Sequence, residues 1–151
     1  MTRLVKRVAD SYTEQVQILT QGTMNGYNRL FGGQLLQWID IVAAVVARRH
    51  SNRNVTTAAI DGLSFSGAAY VNDTLVLKGF IVYTGRTSME ICVQTYIESL
   101  SGELNLINTA YFVMVALDEN EKPTPVPMLE PVTDEEKRRF EEAQIRRANR
   151  K

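Results

Sequence analysis

The sequence has a single cysteine, Cys92, and a single histidine, His50, among its 151 residues. A disulfide within the chain is therefore impossible, and the composition suits a reducing compartment. Two such residues cannot supply a His/Cys metal cluster. A nucleophile–histidine pair would have to use His50, which lies at the end of a predicted helix with no supporting partner nearby. We expect no metal and no cofactor.

The chain also lacks a surplus of positive charge and any long apolar run. Lysine and arginine number 17, as do aspartate and glutamate, so the formal net charge is zero. Nucleic-acid binding normally requires a basic surplus. The longest apolar run, residues 41–47, is far shorter than the roughly 20 residues that span a bilayer, and the N-terminus has no apolar signal region. We expect a cytoplasmic protein with neither nucleic acid nor membrane as a partner.

One segment, from Gly32 to about Arg49, has apolar residues at a helical period. After Asp40 seven consecutive apolar residues surround the predicted helix. A helix that is apolar on all sides belongs inside a protein. Arg48, Arg49 and His50 are cations suited to its C-terminal end.

Strand-like segments surround this helix in the sequence. One lies within residues 8–20, and four follow the helix at 55–65, 74–84, 87–98 and 103–117. The segment 87–98 alternates, with Met89 and Ile91 on one face and Glu90 and Gln94 on the other, which predicts a half-buried strand. An antiparallel sheet curled around one buried helix satisfies this order, an α+β architecture. A sandwich with a helix on one face is the alternative. Edge strands of such a sheet favour pairing across a dimer.

The last thirty residues differ in composition from the rest. Four prolines between 123 and 131 predict an extended segment. Thr133 and Glu136 then form the pattern of a capping box that opens a highly charged helix. We predict one domain over residues 1–131, followed by a charged helical tail over 132–151.

Asp40 is the most informative candidate for chemistry, because it lies in mid-helix beside Leu36, Ile39 and Ala43. An ionised carboxylate is costly to bury without partners. Asp40 either lies on a polar edge with the neighbouring glutamines, or faces a cleft and acts as a general base. The sequence leaves both interpretations open.

Three other groups of residues have a structural and a functional interpretation. Asn25 lies in a predicted turn, where asparagine usually serves backbone geometry, but its amide can also orient water. Gly32 and Gly33 open the helix, either for close packing or to offer backbone N–H groups to a developing oxyanion. Arg86, Thr87 and Ser88 form either an ordinary hairpin turn or a cationic rim for ligand phosphates.

Taken together, these segments resemble the acyl-CoA thioesterase family of the hot-dog fold, which includes bacterial short- to medium-chain and mammalian cytosolic acyl-CoA hydrolases. The family pattern has an asparagine, then an aromatic residue or histidine before Gly-Gly, and an acidic residue seven positions after the second glycine. Asn25, Gly32, Gly33 and Asp40 match it in register. Thr57, Ala58, Asp61 and Phe65 resemble the family's second strand. Residues 85–90 resemble a strand-opening motif, and residues 126–127 resemble its exit segment.

The resemblance implies an acyl-CoA hydrolase whose active site lies at a dimer interface, often in a trimer of dimers. Asp40 of one subunit would activate water or attack directly, and Asn25 of the other would position the water. A backbone amide of Gly32 or Gly33 would stabilise the oxyanion. Arg86, Thr87 and Ser88 would lie near coenzyme A. The sequence departs from many relatives at residues 66–69 and 72–73. The resemblance therefore does not predict which acyl-CoA this protein prefers.

Two other functions are compatible with such a roll. A non-catalytic acyl-CoA-binding or sensing protein would bind the ligand without turnover, although a pure binder has no need of both Asn25 and Asp40. A dehydratase of the same fold would normally use a catalytic histidine. The only histidine, His50, lies ten residues beyond Asp40, at the wrong end of the helix for such a pair. The dehydratase is therefore the least favoured of the three functions.

Overall fold

Five antiparallel strands curl around one long helix, which confirms the α+β hot-dog roll. The computed structural model describes residues 3–150. The helix α1 spans Gly32–Ser51. The sheet is formed by β2 (Thr13–Ile18), β3 (Asn54–Phe65), β4 (Thr74–Thr84), β5 (Ser88–Glu98) and β6 (Leu104–Leu117). Its strand order is β2-β4-β5-β6-β3, so β2 and β3 are the two edges.

The proline-rich segment and the N-terminus form a small second sheet. β1 (Val5–Lys6) pairs in parallel with β7 (Met128–Leu129). The chain then enters the helix α2 (Asp134–Asn149). Its predicted capping box is confirmed, because the Glu136 amide donates to Thr133 Oγ1 at 3.0 Å and the Thr133 amide donates to Glu136 Oε1 at 3.3 Å.

The helix α1 packs directly on the centre of the sheet. Leu35, Ile39, Val42 and Val46 are buried on its inner face at helical spacing. A Cβ atom at Gly79 of β4 would lie 2.6 Å from Val42 Cγ1, so this close approach requires glycine. The expectation that the helix is buried on all sides is wrong for its outer face, where Ile41 is 48% exposed.

The prediction that β5 is half-buried is wrong for its first half, where both faces are covered. Glu90, expected on the solvent side, is only 3% exposed, and Cys92 is also buried. The cover is α2, whose Ala143 joins an apolar cluster with Phe80, Val82 and Cys92. Alternation within one strand does not reveal whether a distant helix packs on its polar face, and here α2 does so.

Guanidinium groups hold α2 on the sheet. Arg146 stacks on the Tyr111 ring, 3.7 Å from its centroid, and donates to Glu90 Oε2 at 2.7 Å. Arg150 donates to Asp61 Oδ2 of β3 at 2.5 Å. A buried carboxylate is tolerated only when it is paired and hydrogen-bonded, so α2 supplies the cations that Glu90 needs. The division of the chain at residue 131 remains a prediction.

We predict that Arg146→Gln lowers the free energy of unfolding by about 3 kcal/mol, because it leaves the carboxylate of Glu90 buried without its main partner. Urea denaturation measures this change. Arg138→Gln on the exposed side of the same helix is the matched control, and about 0.5 kcal/mol or less is expected there. Equal effects of the two substitutions would contradict this role of Arg146.

Candidate active site

Asp40 faces the sheet and is half-buried. Its Oδ1 accepts a hydrogen bond of 2.8 Å from Thr57 Oγ1 on β3. Within residues 3–150, no second hydrogen bond and no cation within 4 Å engages this carboxylate. Its second oxygen is therefore available to a ligand or to water. Asp40 thus lies beside Gln37 and lines a cavity, and its role as a general base remains a prediction.

The cavity in front of Asp40 has a volume of about 410 Å³. Its lining comes from both the helix and the edge strand and consists of Gly33, Leu36, Gln37, Asp40, Thr57, Ile60 and Phe112. The carboxylate thus lies in a largely apolar recess, where a water molecule that it binds would have few competing partners.

The sequence predicts that Thr57 lies in a strand, but it does not predict the contact of Thr57 with Asp40. Thr57 pairs with Met114 of β6, but the register shifts before Ala59 pairs with Val113. A bulge of this kind re-aims neighbouring side chains. The sequence carries no signal for this shift, because it depends on how the sheet closes around α1.

The side-chain oxygen of Asn25 stabilises the backbone of its turn, as predicted, whereas the NH2 group of the same side chain is not used there. Oδ1 accepts hydrogen bonds from the backbone N–H groups of Tyr27 at 2.8 Å and Arg29 at 3.2 Å. These bonds fix the amide so that Nδ2 points away from the turn, and among residues 3–150 Nδ2 has no acceptor. Asn25 therefore offers a positioned N–H donor.

Gly32 and Gly33 present two further donors. Phe31 precedes the helix without a side-chain cap, and its carbonyl accepts from the N–H groups of Gln34 and Leu35. In the described part of the chain, the N–H groups of Gly32 and Gly33 have no backbone acceptor. The positive end of the helix dipole strengthens such donors toward an anion.

Within one chain, Asn25 and Asp40 line different cavities. Asn25 and Gly32 border a cavity of about 260 Å³, whereas Gly33 and Asp40 border the larger one. The start of α1 separates the two. The expected residues therefore form two half-sites at opposite ends of β3.

Arg86 and Thr87 lie in the turn between β4 and β5, and Ser88 is the first residue of β5. None of the three lines either of these cavities. The carbonyl of Arg86 accepts from Val126 N–H at 2.9 Å, while its side chain is exposed. None of the described carboxylates lies within 4 Å of its guanidinium. Ser88 is in register with Val115 of β6, which pairs with Thr56. The turn is thus two strand spacings, about 10 Å, from the strand that holds Thr57.

The remaining reactive side chains are engaged elsewhere. His50 is fully buried with Nε2 2.7 Å from the carbonyl oxygen of Pro127, and burial lowers its pKa below 6.5. Burial raises the pKa of the Cys92 thiol to about 12, so it is not a nucleophile. Between residues 3 and 150, no group of three potential metal ligands converges. No helix in that range is long and apolar enough to cross a membrane.

Known proteins with the same architecture place this chain in a family. A hexameric acyl-CoA thioesterase crystallised without ligand superimposes with a TM-score of 0.94 at 42% identity, covering 97% of this chain and 95% of that one. Residues 27–101 match the family model of the thioesterase superfamily. The chain belongs to this superfamily.

Relatives within the superfamily include the uncharacterized acyl-CoA thioester hydrolase YkhA of Bacillus subtilis. It is 40% identical over 113 residues, which are 74% of this chain. The chain spans 66% of the length of YkhA and 23% of mouse acyl-coenzyme A thioesterase 11.

The acyl-CoA hydrolase of Staphylococcus aureus, solved with butyryl coenzyme A and coenzyme A, is a third similar protein. It is 31% identical with a TM-score of 0.92, covering 97% of this chain and 90% of that one. Structures also exist of its variants in which an aspartate, an asparagine or a threonine is replaced by alanine.

Proposed function

We propose that this protein hydrolyses acyl-CoA thioesters to a free acid and coenzyme A. The observation that carries the proposal is the carboxylate of Asp40, oriented by Thr57 and open on its other side to a cavity at the start of α1. Such a carboxylate can act as a general base, and Gly33, whose N–H group has no backbone acceptor, borders the same cavity.

The replaced residues of the Staphylococcus aureus enzyme support this assignment. They are an asparagine, an aspartate fifteen positions later and a threonine seventeen positions after that. Asn25, Asp40 and Thr57 have the same residue types at the same spacing. We infer that Thr57 belongs to the site with the two residues that the sequence pointed to.

In the proposed reaction, Asp40 accepts a proton from a water molecule, whose oxygen attacks the thioester carbonyl carbon. The side-chain amide of Asn25 positions this water, and the resulting oxyanion receives a hydrogen bond from the N–H group of Gly32 or Gly33. The C–S bond then breaks, and the coenzyme A thiolate takes up the proton. Direct attack by the carboxylate, followed by hydrolysis of the anhydride, uses the same groups.

A complete site requires a second subunit. The strand β3 is an edge of the sheet, hydrogen-bonded only to β6, and Ile60, Leu63 and Phe65 on it are 41–54% exposed. An apolar edge strand of twelve residues favours isologous pairing with a second copy. Antiparallel pairing that sets Thr57 opposite the partner's Phe65 would bring the partner's Asn25 toward Asp40. We therefore propose a homodimer with two composite sites.

Coenzyme A would extend from Asp40 toward the turn that holds Arg86, Thr87 and Ser88. A pantetheine arm has the length of about four peptide units and spans roughly 14 Å when extended. This reach is comparable with the separation of the turn from Thr57, estimated above at about 10 Å across the sheet. The exposed guanidinium of Arg86 can form ion pairs with the phosphates of the coenzyme A moiety.

The proposed oligomeric state and cellular location are based on the relatives. The ligand-free thioesterase of similar fold is described as hexameric, and the rat relative is named a cytosolic acyl coenzyme A thioester hydrolase. On these grounds we propose a hexamer built as a trimer of dimers and a cytoplasmic location.

The first prediction on activity concerns Asp40. Asp40→Asn keeps the size of the side chain but removes its ability to accept a proton, so thiol release from acyl-CoA substrates is expected to fall by about 100-fold or more. Release is measured with a thiol-reactive dye, and folding is checked by thermal unfolding. Binding of acyl-CoA with no release by the wild type would instead support the non-catalytic sensor.

A second prediction separates orientation from packing at Thr57. Thr57→Ser keeps the hydroxyl that donates to Asp40, whereas Thr57→Val keeps the shape and removes the donor. We expect Thr57→Val to lower kcat by about tenfold and Thr57→Ser to stay near the wild type, since one hydrogen bond to a charged group contributes about 1.5 kcal/mol or more. Equal losses of kcat in both variants would assign Thr57 a packing role only.

A third prediction tests whether the site is shared between subunits. Asn25→Ala and Asp40→Asn each inactivate both sites of a homodimer. After subunit exchange, a mixed dimer holds one site with both residues intact, so about one quarter of the wild-type activity should return in an equimolar mixture. No recovery, with mixed dimers demonstrated by native mass spectrometry, would place Asn25 and Asp40 in the same chain.

A further inference from the structure

The edge strand β3 carries an aspartate at a point where its pairing with β6 is irregular. The register of β3 shifts between Ile60 and Leu63, and Asp61 lies within that shift. The side chain of Asp61 reaches the outer face of the sheet, where its Oδ2 accepts a hydrogen bond of 2.5 Å from Arg150 Nη1. The proposed reaction does not use this ion pair, although it lies on the strand that holds Thr57.

Arg150 follows the last residue of α2, Asn149, and joins two carboxylates. Its Nη1 donates to Asp61 and lies 3.4 Å from Glu90 Oε1. Glu90 has a second cation, because Arg146 donates to its other oxygen at 2.7 Å. In the described part of the chain, Arg150 is the only cation within 4 Å of the carboxylate of Asp61. The charge of Asp61 is therefore compensated by the end of α2 alone.

Asp61 has a special position in the homodimer proposed above, on which this inference rests. In that dimer, Thr57 lies opposite the partner's Phe65 across two antiparallel β3 strands. Asp61 is midway between these positions, so it lies opposite the partner's Asp61, at the twofold axis. Directly opposite residues of an antiparallel pair project from the same face, with Cα atoms about 4.5–5.5 Å apart. Two carboxylates therefore meet where the subunits join.

We propose that Arg150 makes this pairing possible by compensating the charge of Asp61 in each subunit at the twofold axis. Like charges directly opposite each other destabilise paired strands, and their repulsion grows as an interface excludes water. With each Asp61 paired to its own Arg150, these groups carry no net charge. The end of α2 thereby controls whether two β3 strands can join. Because each proposed active site needs Asn25 and Asp40 from different subunits, α2 also controls activity.

A brace within one subunit is the competing role for this ion pair. In that role Arg150 only fixes β3 on its own sheet, so removing both charged groups is at least as harmful as removing one. If the ion pair instead prevents repulsion across the axis, removing Asp61 together with Arg150 restores dimer formation, because no carboxylates are left to repel each other. The two roles thus predict opposite results for the double variant.

The first test measures assembly by sedimentation velocity over a range of protein concentrations. We expect Arg150→Gln to raise the concentration at which the β3 pair dissociates by about tenfold or more, leaving a monomer, or a trimer if other contacts of the proposed hexamer persist. Thiol release per subunit should fall at low enzyme concentration and return at high concentration. Asp61→Asn/Arg150→Gln should assemble like the wild type. Arg138→Gln, whose guanidinium pairs with Glu135 and Glu142 of the same helix, is the matched control and should change neither measurement.

The second test locates the twofold axis. Asp61→Cys places two thiols opposite each other, with a Cα separation inside the roughly 4.4–6.8 Å that a disulfide spans. Mild oxidation should therefore convert this variant to a covalent dimer on a non-reducing gel. Leu63→Cys is the control, since its two copies would lie about 13 Å apart along the paired strands and should not cross-link. Cys92 is buried and should not contribute.

The outcomes separate this inference from the proposed reaction. If the wild type releases no thiol while the variants assemble as expected, the hydrolase assignment alone fails. A monomeric wild type, or Asp61→Cys that does not cross-link, would refute the proposed pairing of β3 and this inference with it. If folded Arg150→Gln assembles as tightly as the wild type, or the double variant assembles as weakly as Arg150→Gln, the inference is overturned and the dimer stands.

Discussion

The packing of α1 against the inner face of the curled sheet is the interaction on which the rest of this structure depends. Val42 and Val46 lie against Gly79 with no room for a side chain there. Because protein interiors are close-packed, this contact fixes how near the helix lies to the sheet. The same contact determines which side chains at the start of the helix can reach the edge strand.

The proposed chemistry uses the first turn and the middle of α1. One helix position faces β3 and brings Asp40 to Thr57, while the uncapped start of the helix leaves two N–H groups without backbone acceptors. These polar groups do not lower the stability of the fold, because water or a ligand can hydrogen-bond with them. The carboxylate and the oxyanion donors of the proposed reaction are therefore carried by one helix that is packed on the sheet.

The helix α2 illustrates how a very polar segment can still belong to the core of a domain. Its arginines stack on aromatic rings of the outer sheet face and neutralise the buried Glu90. The aliphatic stems and planar heads of arginine cover apolar surface while the charge stays paired. The same helix reaches β3 through Asp61, so the outer layer braces the strand proposed to form the dimer.

Local sequence patterns predict the central helix, the strands of the main sheet and four of the residues proposed to act. Helical periodicity located α1, and the spacing of Asn25, Gly32, Gly33 and Asp40 carried the family resemblance. These features are local, so they can be read along one chain.

Contacts between distant segments of the chain could not be predicted from the sequence. Thr57 meets Asp40 because of a register shift in β3, and Glu90 is buried because α2 returns to cover β5. Asn25 and Asp40 likewise line two different cavities, because the start of α1 lies between them. Register and layer packing are set by closure of the whole sheet around its helix, and no local pattern encodes them.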